Sequence, residues 1–283
     1  MSVNAPPAMV DAAELYVDLL KRCVCNLIYQ DAAIRRPWDT SSGEVYLPFD
    51  LARRKTARDW PSQAHTMIGT RRLDNVQELV TAAIAAGTPG DLIETGIWRG
   101  GSVIFMRGLL KALGVTDRVV WAADSFGGGF PVGQEQGASE RSYTSEGLRP
   151  LTGLAVGEYP PEFRAPIELV SEGTSLPEVQ DRFARYGLLD EQVRFLPGWF
   201  RDTLPAAPIE RLALLRLDGD LYDSTFDALV ALYPRLSPGG YTIVDDYGRF
   251  EECREAVHDY LDGAGEKVDI QRVDDEAVYW QKR

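Results

Sequence analysis

The chain has 283 residues, 45% of them hydrophobic, and 43 acidic against 30 basic side chains give a formal net charge of −13. That balance suits a globular core and argues against nucleic acid, whose phosphates need a basic surface, and against an anionic membrane face. No apolar run approaches the roughly 20 residues that span a bilayer, and the start, MSVNAPPAMVDAAE, lacks the basic-then-apolar order of a secretory signal.

Residues 1–10 are expected to be disordered. Ala12 to Ala32 reads as one amphipathic helix, with Leu15, Val17, Leu19, Leu20, Val24 and Ile28 on its apolar face. It either caps the main domain or packs against a second subunit. Cys23 and Cys25 lie in it, facing apart, and with Cys253 they are most simply reduced thiols of a cytoplasmic protein. Arg35 to Trp60 is polar and irregular, with Pro37, Gly43 and Pro48, and is a candidate cover over a site. A helix is expected over Asn75 to Gly87, then strands and helices alternate. The strands fall at Asp91–Glu94, Val119–Ala123, Val193–Leu196, Arg211–Leu217 and Tyr241–Val244. The helices fall at Ser102–Leu113, Ser175–Tyr186, Ser224–Leu236 and Phe250–Leu261. Residues 127–166 form a long aperiodic loop, in which Tyr143, Tyr159 and Phe163 could stack on a substrate or anchor the loop. Val268–Arg272 and Ala277–Trp280 should pair as a closing hairpin.

Alternation of this kind implies a parallel sheet covered on both faces, and the hairpin implies one antiparallel strand at the edge. No Pro/Gly linker separates two cores. One domain is therefore expected, with a helical and cover region over 11–70 and a catalytic core over 71–283.

Ligands of open α/β sheets bind at the carboxyl ends of the strands. Three stretches end there with chemistry. IETGIWRGGS (93–102) is a glycine turn between a strand and a helix; Gly96 lets the turn form, and Gly100 and Gly101 let a ligand approach the backbone. Its spacing does not fit G-x-G-x-x-G. Glu94 would repel a pyrophosphate, and it suits a cationic amino group. Asp124, 30 positions after Glu94, can accept both hydroxyls of a ribose. Together they point to an adenosyl ligand with an amine and no phosphates, which describes S-adenosylmethionine. A plain turn with two solvated acids is the other reading.

Two acid pairs follow: Asp218 and Asp220 in LDGDLYDS, then Asp245 and Asp246 in IVDDYG, 27 positions after Asp218. Asp218, Asp245 and Asp246 could set three oxygens around one cation of the Mg, Ca or Mn class, leaving Asp220 as a general base. With only His65 and His258 present, a His-rich zinc site is unavailable. Either motif could also be a turn with helix-capping acids. Thr66 and Met67 could line the adenosyl ligand or simply pack. Trp199 and Phe200 could flank adenine or belong to the core. Arg216, inside an apolar strand, should pair with one of the acids.

At LYVDLLKRCVCNLIYQD, AHTMIGTRRLDNVQELV, ETGIWRGGS, ADSFGG, DRFARYGLLDEQVRFLPGWFRDTLP, LRLDGDLYDST and IVDDYG the chain resembles the macrocin-type O-methyltransferases of antibiotic biosynthesis. The resemblance spans nearly the whole chain. It implies a class I methyltransferase fold, Rossmann-like, with a mostly parallel seven-stranded sheet, an antiparallel edge strand and an N-terminal helical extension used in dimers. It implies S-adenosylmethionine and Mg as cofactors and a glycosylated small molecule, methylated on a deoxysugar hydroxyl, as substrate. Residue by residue, Asp218, Asp245 and Asp246 match metal ligands and Asp220 the base. Glu94, Gly96 and Ser102 match contacts to the methionine part, and Gly100 and Gly101 count with them as cofactor-binding. Asp124 matches the contact to the ribose, Ser125 and Phe126 after it count as cofactor-binding, and Thr66 and Met67 match cofactor neighbours. Rival readings are a metal-dependent catechol methyltransferase, a non-catalytic protein with the cofactor fold, and an NAD-linked oxidoreductase.

Overall fold

A computed structural model describes residues 11–35, 43–127 and 174–283. Most of the long loop, with Tyr143, Tyr159 and Phe163, lies outside the described residues, as do residues 1–10. The main sheet takes β4 (Asp91–Thr95), β5 (Val120–Asp124), β6 (Val193–Pro197), β7 (Leu212–Leu217), β8 (Leu236–Val244), β9 (Gln271–Arg272) and β10 (Val278–Gln281) in the order β6-β5-β4-β7-β8-β10-β9. The first five in that order pair in parallel; β10 runs antiparallel to β8, and β9 antiparallel to β10. β10 is thus the one strand that runs against the sheet, as the sequence led one to expect, and β9 returns outside it in the direction of the others. The short β9–β10 connection allows only an antiparallel return.

The strands read as unbroken apolar runs because both faces are covered. Leu92, Val120, Ala122 and Leu214 join one core with residues of α1 (Ala12–Val24), α3 (Gly69–Ala85) and α4 (Gly101–Ala112). Ile93, Trp121, Ala123 and Leu215 face the other core, with α7 (Tyr222–Leu232) and α8 (Glu251–Ala264). Alternate side chains along one strand go to opposite faces. The remaining helices are α2 (Leu51–Lys55), α5 (Leu176–Arg185) and α6 (Phe200–Thr203).

The N-terminal helix caps the domain. Val17, Leu20 and Val24 are buried, and the helix comes so close to α4 that a Cβ on Gly108 would lie 2.2 Å from Leu20 Cδ2. Leu15 and Leu19 stay outside, 57% and 53% exposed. The helix stops at Val24, eight residues short of the expected end at Ala32. Asn26 turns left-handed (φ 51°) and its amide donates to Asp31 at 2.8 Å, a local competitor to the helical ladder. Asp31 in turn joins Arg54 at 2.8 Å, and Arg54, fully buried, also holds Asp59 at 2.8 Å.

The expected irregular cover contains its own order. β1 (Ala33–Ile34), β2 (Tyr46–Leu47) and β3 (Trp60–Pro61) form a small antiparallel sheet, and α2 is capped by Asp50. Two-residue strands carry no readable alternation, so no residue pattern marks them. β8 also begins at Leu236, five residues before the expected start, because a register shift opposite Leu212–Leu214 absorbs Pro238, Gly239 and Gly240 into the strand. Among the described residues, no helix is long and apolar enough to cross a membrane.

His65 sits between the cover and the core. Its ring hydrogen-bonds Tyr186 Oη at 3.0 Å, and burial, with the nearby Arg182 and Arg99, pushes its pKa down to about 4. The unfolded chain would take this proton below the ordinary value near 6.5, while the folded protein refuses it until about pH 4. Stability therefore falls as the pH drops through that window. His65→Gln should flatten this part of a denaturant-derived stability curve, and an unchanged slope between pH 6.5 and 4 would contradict the assignment.

Candidate active site

The carboxyl ends of β4, β5, β7 and β8 lie side by side, so the loops that follow them converge. Backbone hydrogen bonds extend the ladder past the strands: Gly96 N donates to Ala123 O, Asp218 N to Thr95 O and Asp245 N to Leu217 O, each at 2.9 Å. The acids are thus placed by main chain before any side chain acts. Gly96 is left-handed (φ 82°), and a Cβ there would lie 1.8 Å from the carbonyl oxygen of Asp218. Only glycine permits the glycine turn and the first acid turn to touch. A Cβ on Gly101 would likewise meet His65 O at 2.5 Å and Thr66 Cβ at 2.8 Å, which sets Thr66 against this turn. Met67 beside it is half-buried.

Glu94 is buried, 1% exposed. Ser102 Oγ donates to Glu94 Oε2, and Arg216 Nη1 donates to Oε1. Burial pushes the carboxyl up, and Arg216 and the Ser102 hydroxyl pull it back, leaving it at about 7. A cationic ligand group beside it would favour the charged form. Asp124 accepts the backbone N–H of Ile97 and of Phe126, each at 2.9 Å, so it ties the glycine turn to the loop after β5. Ser125 Oγ lies 3.5 Å from Asp124 Oδ1, and the Phe126 ring packs edge-on against Phe195 with centroids 6.2 Å apart.

Asp218, Asp245 and Asp246 each offer one oxygen within 4.8 Å of the others. That spacing suits one cation with oxygen ligands at about 2.0–2.6 Å. Asp246 Oδ2 is buried and meets no donor, a costly state that a cation would relieve. Both oxygens of Asp245 accept from arginine, Oδ1 from Arg216 Nη2 and Oδ2 from Arg72 Nη1. Each carboxylate oxygen has a second lone pair, so these bonds leave room for a ligand. The donor set therefore fits a hard divalent cation.

Asp220 lies beside Asp246 in the same acidic group. Burial, then the charge of Asp218, pushes Asp220 up to about 8, while Arg249 pulls it down. Its backbone is left-handed, φ 64°, without being glycine. Trp98 (φ 48°) and Phe126 (φ 50°) are left-handed too. Such residues persist where the surroundings enforce them, often at sites of function. Nothing in the residue pattern announced them.

Arg216 exceeds the expected single pairing. It is fully buried and joins Glu94, Asp218 (2.7 Å) and Asp245. Arg72 is the residue that sequence reasoning missed. It lies 173 positions from its partner Asp245, and no local spacing could have linked them. Trp199 stands just before α6, with Phe200 packed against the core face that holds Trp121.

The solved structure of the O-methyltransferase NovP aligns with this chain at a TM-score of 0.79 and 42% identity, covering 95% of this chain and 99% of that one. The protein is an α/β O-methyltransferase. It belongs to the macrocin O-methyltransferase (TylF) family, whose model matches residues 13–282. The chain is 49% identical over 271 residues to the 8-demethyl-8-(2,3-dimethoxy-alpha-L-rhamnosyl)-tetracenomycin-C 4'-O-methyltransferase of Streptomyces olivaceus, covering 96% of this chain and 94% of the relative. It is also 49% identical over 269 residues to the mycinamicin III 3''-O-methyltransferase of Micromonospora griseorubida, covering 95% and 96%.

Proposed function

We propose that the protein moves a methyl group from S-adenosylmethionine to a deoxysugar hydroxyl on a glycosylated natural product of antibiotic biosynthesis, with Mg2+ at Asp218, Asp245 and Asp246. The observation that carries this reading is the adjacency of a buried carboxylate suited to an amino group, Glu94, and an oxygen-only acid cluster, joined through Arg216. The sugar acceptor is supported by the relatives, one named for a rhamnosyl tetracenomycin and one for mycinamicin III. Assembly as a homodimer or higher homo-oligomer, cytoplasmic residence and a single catalytic domain belong to the same proposal.

Glu94, oriented by Ser102 and Arg216, would hold the ammonium of the methyl donor. Asp124 and the turn it braces would receive the ribose. When bound, Mg2+ would supply the positive charge that lowers the pKa of an acceptor hydroxyl. Asp220, beside the cluster, would accept the hydroxyl proton as the oxygen attacks the methyl carbon and the thioether departs. Holding the two reactants in line carries much of the rate.

The test is a methyl-transfer assay over a panel of glycosylated natural products, with mass detection of one added methyl. Product is expected with a deoxysugar-bearing acceptor and should vanish after exhaustive chelation, returning with Mg2+. Turnover unaffected by chelation would remove the metal from the reading. Product only from simple catechols would remove the sugar.

A further inference from the structure

The last 15 residues of the core hold a charged turn that no step above uses. Between β9 and β10 stand Asp274, Asp275 and Glu276. Asp274 Oδ1 accepts the backbone N–H of Glu276 at 2.9 Å and of Ala277 at 2.8 Å, so the turn is braced from within. Its outward carboxylates converge on arginines. Arg72 Nε donates to Asp274 Oδ2 at 2.7 Å and Arg72 Nη2 to Glu276 Oε2 at 2.7 Å. Glu276 Oε1 also accepts from Arg58 at 2.9 Å and Arg249 at 3.3 Å. The remaining arm of Arg72, Nη1, reaches Asp245.

We propose that Arg72 is a positioning residue for the metal carboxylate Asp245, anchored by Asp274 and Glu276, an inference that rests on the metal reading above. Three features carry it. First, Asp245 is the one member of the trio held at both oxygens, by Arg72 and Arg216, so neither of its side-chain torsions can turn freely. Among the described residues, Asp218 is held by Arg216 at one oxygen, and Asp246 makes no ion pair, its Oδ2 meeting no donor. Asp245 is therefore the fixed ligand of the three. Second, Arg72 is 6% exposed, and its planar fork spans two anchors and the target at once. A guanidinium can hold that geometry and an ammonium cannot. Third, the anchors lie on the sheet edge that also places β8: Val278 of β10 is paired with Val244, the residue before Asp245. The hairpin thus fixes Asp245 twice, by main chain and through Arg72. Mg2+ demands near-ideal octahedral geometry, so a ligand that cannot rotate favours it.

Arg216 differs from Arg72 in reaching Glu94 as well. Loss of the Arg72 fork should thus be felt at the cation and not at the cofactor.

The experiment uses the metal-free full chain as parent, Arg72→Lys and Asp274→Asn. Arg72→Lys keeps the charge and loses the fork. Asp274→Asn leaves Arg72 in place and cuts its anchor. Mn2+ and S-adenosylhomocysteine are titrated separately by calorimetry. Both variants are expected to bind Mn2+ about tenfold or more weakly, the usual cost of losing a partner behind a metal ligand, with S-adenosylhomocysteine affinity unchanged. Parental Mn2+ affinity in both variants overturns the proposal, as does an equal loss of both ligands, which would mark a general structural role. If Arg72→Lys fails to fold, Asp274→Asn decides by the same readings. A parent that binds neither Mn2+ nor Mg2+ overturns the metal reading itself, and this proposal with it.

Discussion

Asp220→Asn should lower kcat by about 10²–10⁴-fold, the usual contribution of a positioned general base, and leave the affinity for S-adenosylhomocysteine unchanged. The substitution is nearly isosteric, so it removes proton-accepting capacity and little else. Asp220 is not one of the three acids of the proposed cation cluster but lies beside Asp246, with its basicity raised by burial and by Asp218. A base whose pKa sits near the working pH combines availability with driving force. Two measurements check this: single-turnover methyl transfer and calorimetry with S-adenosylhomocysteine. Full turnover by the variant would remove the base assignment, and lost cofactor binding would mean that Asp220 shapes the pocket instead. Because φ is 64° at this position, asparagine, which tolerates a left-handed backbone about as aspartate does, keeps the turn.

Arg216→Met should destabilise the metal-free protein by about 3–5 kcal/mol, the cost of leaving buried charge without its partner. Methionine fills similar volume, so packing changes little and the electrostatic loss dominates. Glu94, Asp218 and Asp245 would keep one another's company without their shared guanidinium. They would escape repulsion by taking up protons in the folded state. The folded variant would then hold more protons than the unfolded chain, and its stability should improve as the pH falls. Urea unfolding of parent and variant at two pH values checks both claims. Equal stability at neutral pH would show that Arg216 carries no net load. The same variant should bind both S-adenosylhomocysteine and Mn2+ less well, in contrast to Arg72→Lys.

Much of the architecture was legible because its cause is local. Val120–Asp124 and Leu212–Leu217 are short apolar runs closed by acids, and a strand buried on both faces has no other way to look. The glycine turn was legible for a similar reason, since Gly96, Gly100 and Gly101 cluster between a strand and a helix. What stayed hidden depends on distance along the chain or on very short elements. Helical periodicity runs on through Leu27 and Ile28, yet the folded chain turns left-handed at Asn26, with Leu27 N bonded back to Arg22 O, and the helix ends there. The Arg72–Asp245 link spans 173 positions. Arg216 could be marked as a charge in an apolar strand, yet its three partners come from three different strand ends, β4, β7 and β8. A sequence can signal that a buried charge needs a partner; it takes the fold to say how many claim it.

The missing Cβ of Gly96 separates two design problems. Because the glycine turn rests directly on the carbonyl of Asp218, the spacing between the proposed cofactor turn and the proposed metal acids is set by main-chain contact. In the proposed reaction the reach of the transfer step would thus be a dimension of the scaffold, with the choice of acceptor set elsewhere in the chain. Engineering toward a new acceptor can leave that joint alone and recut the walls around it.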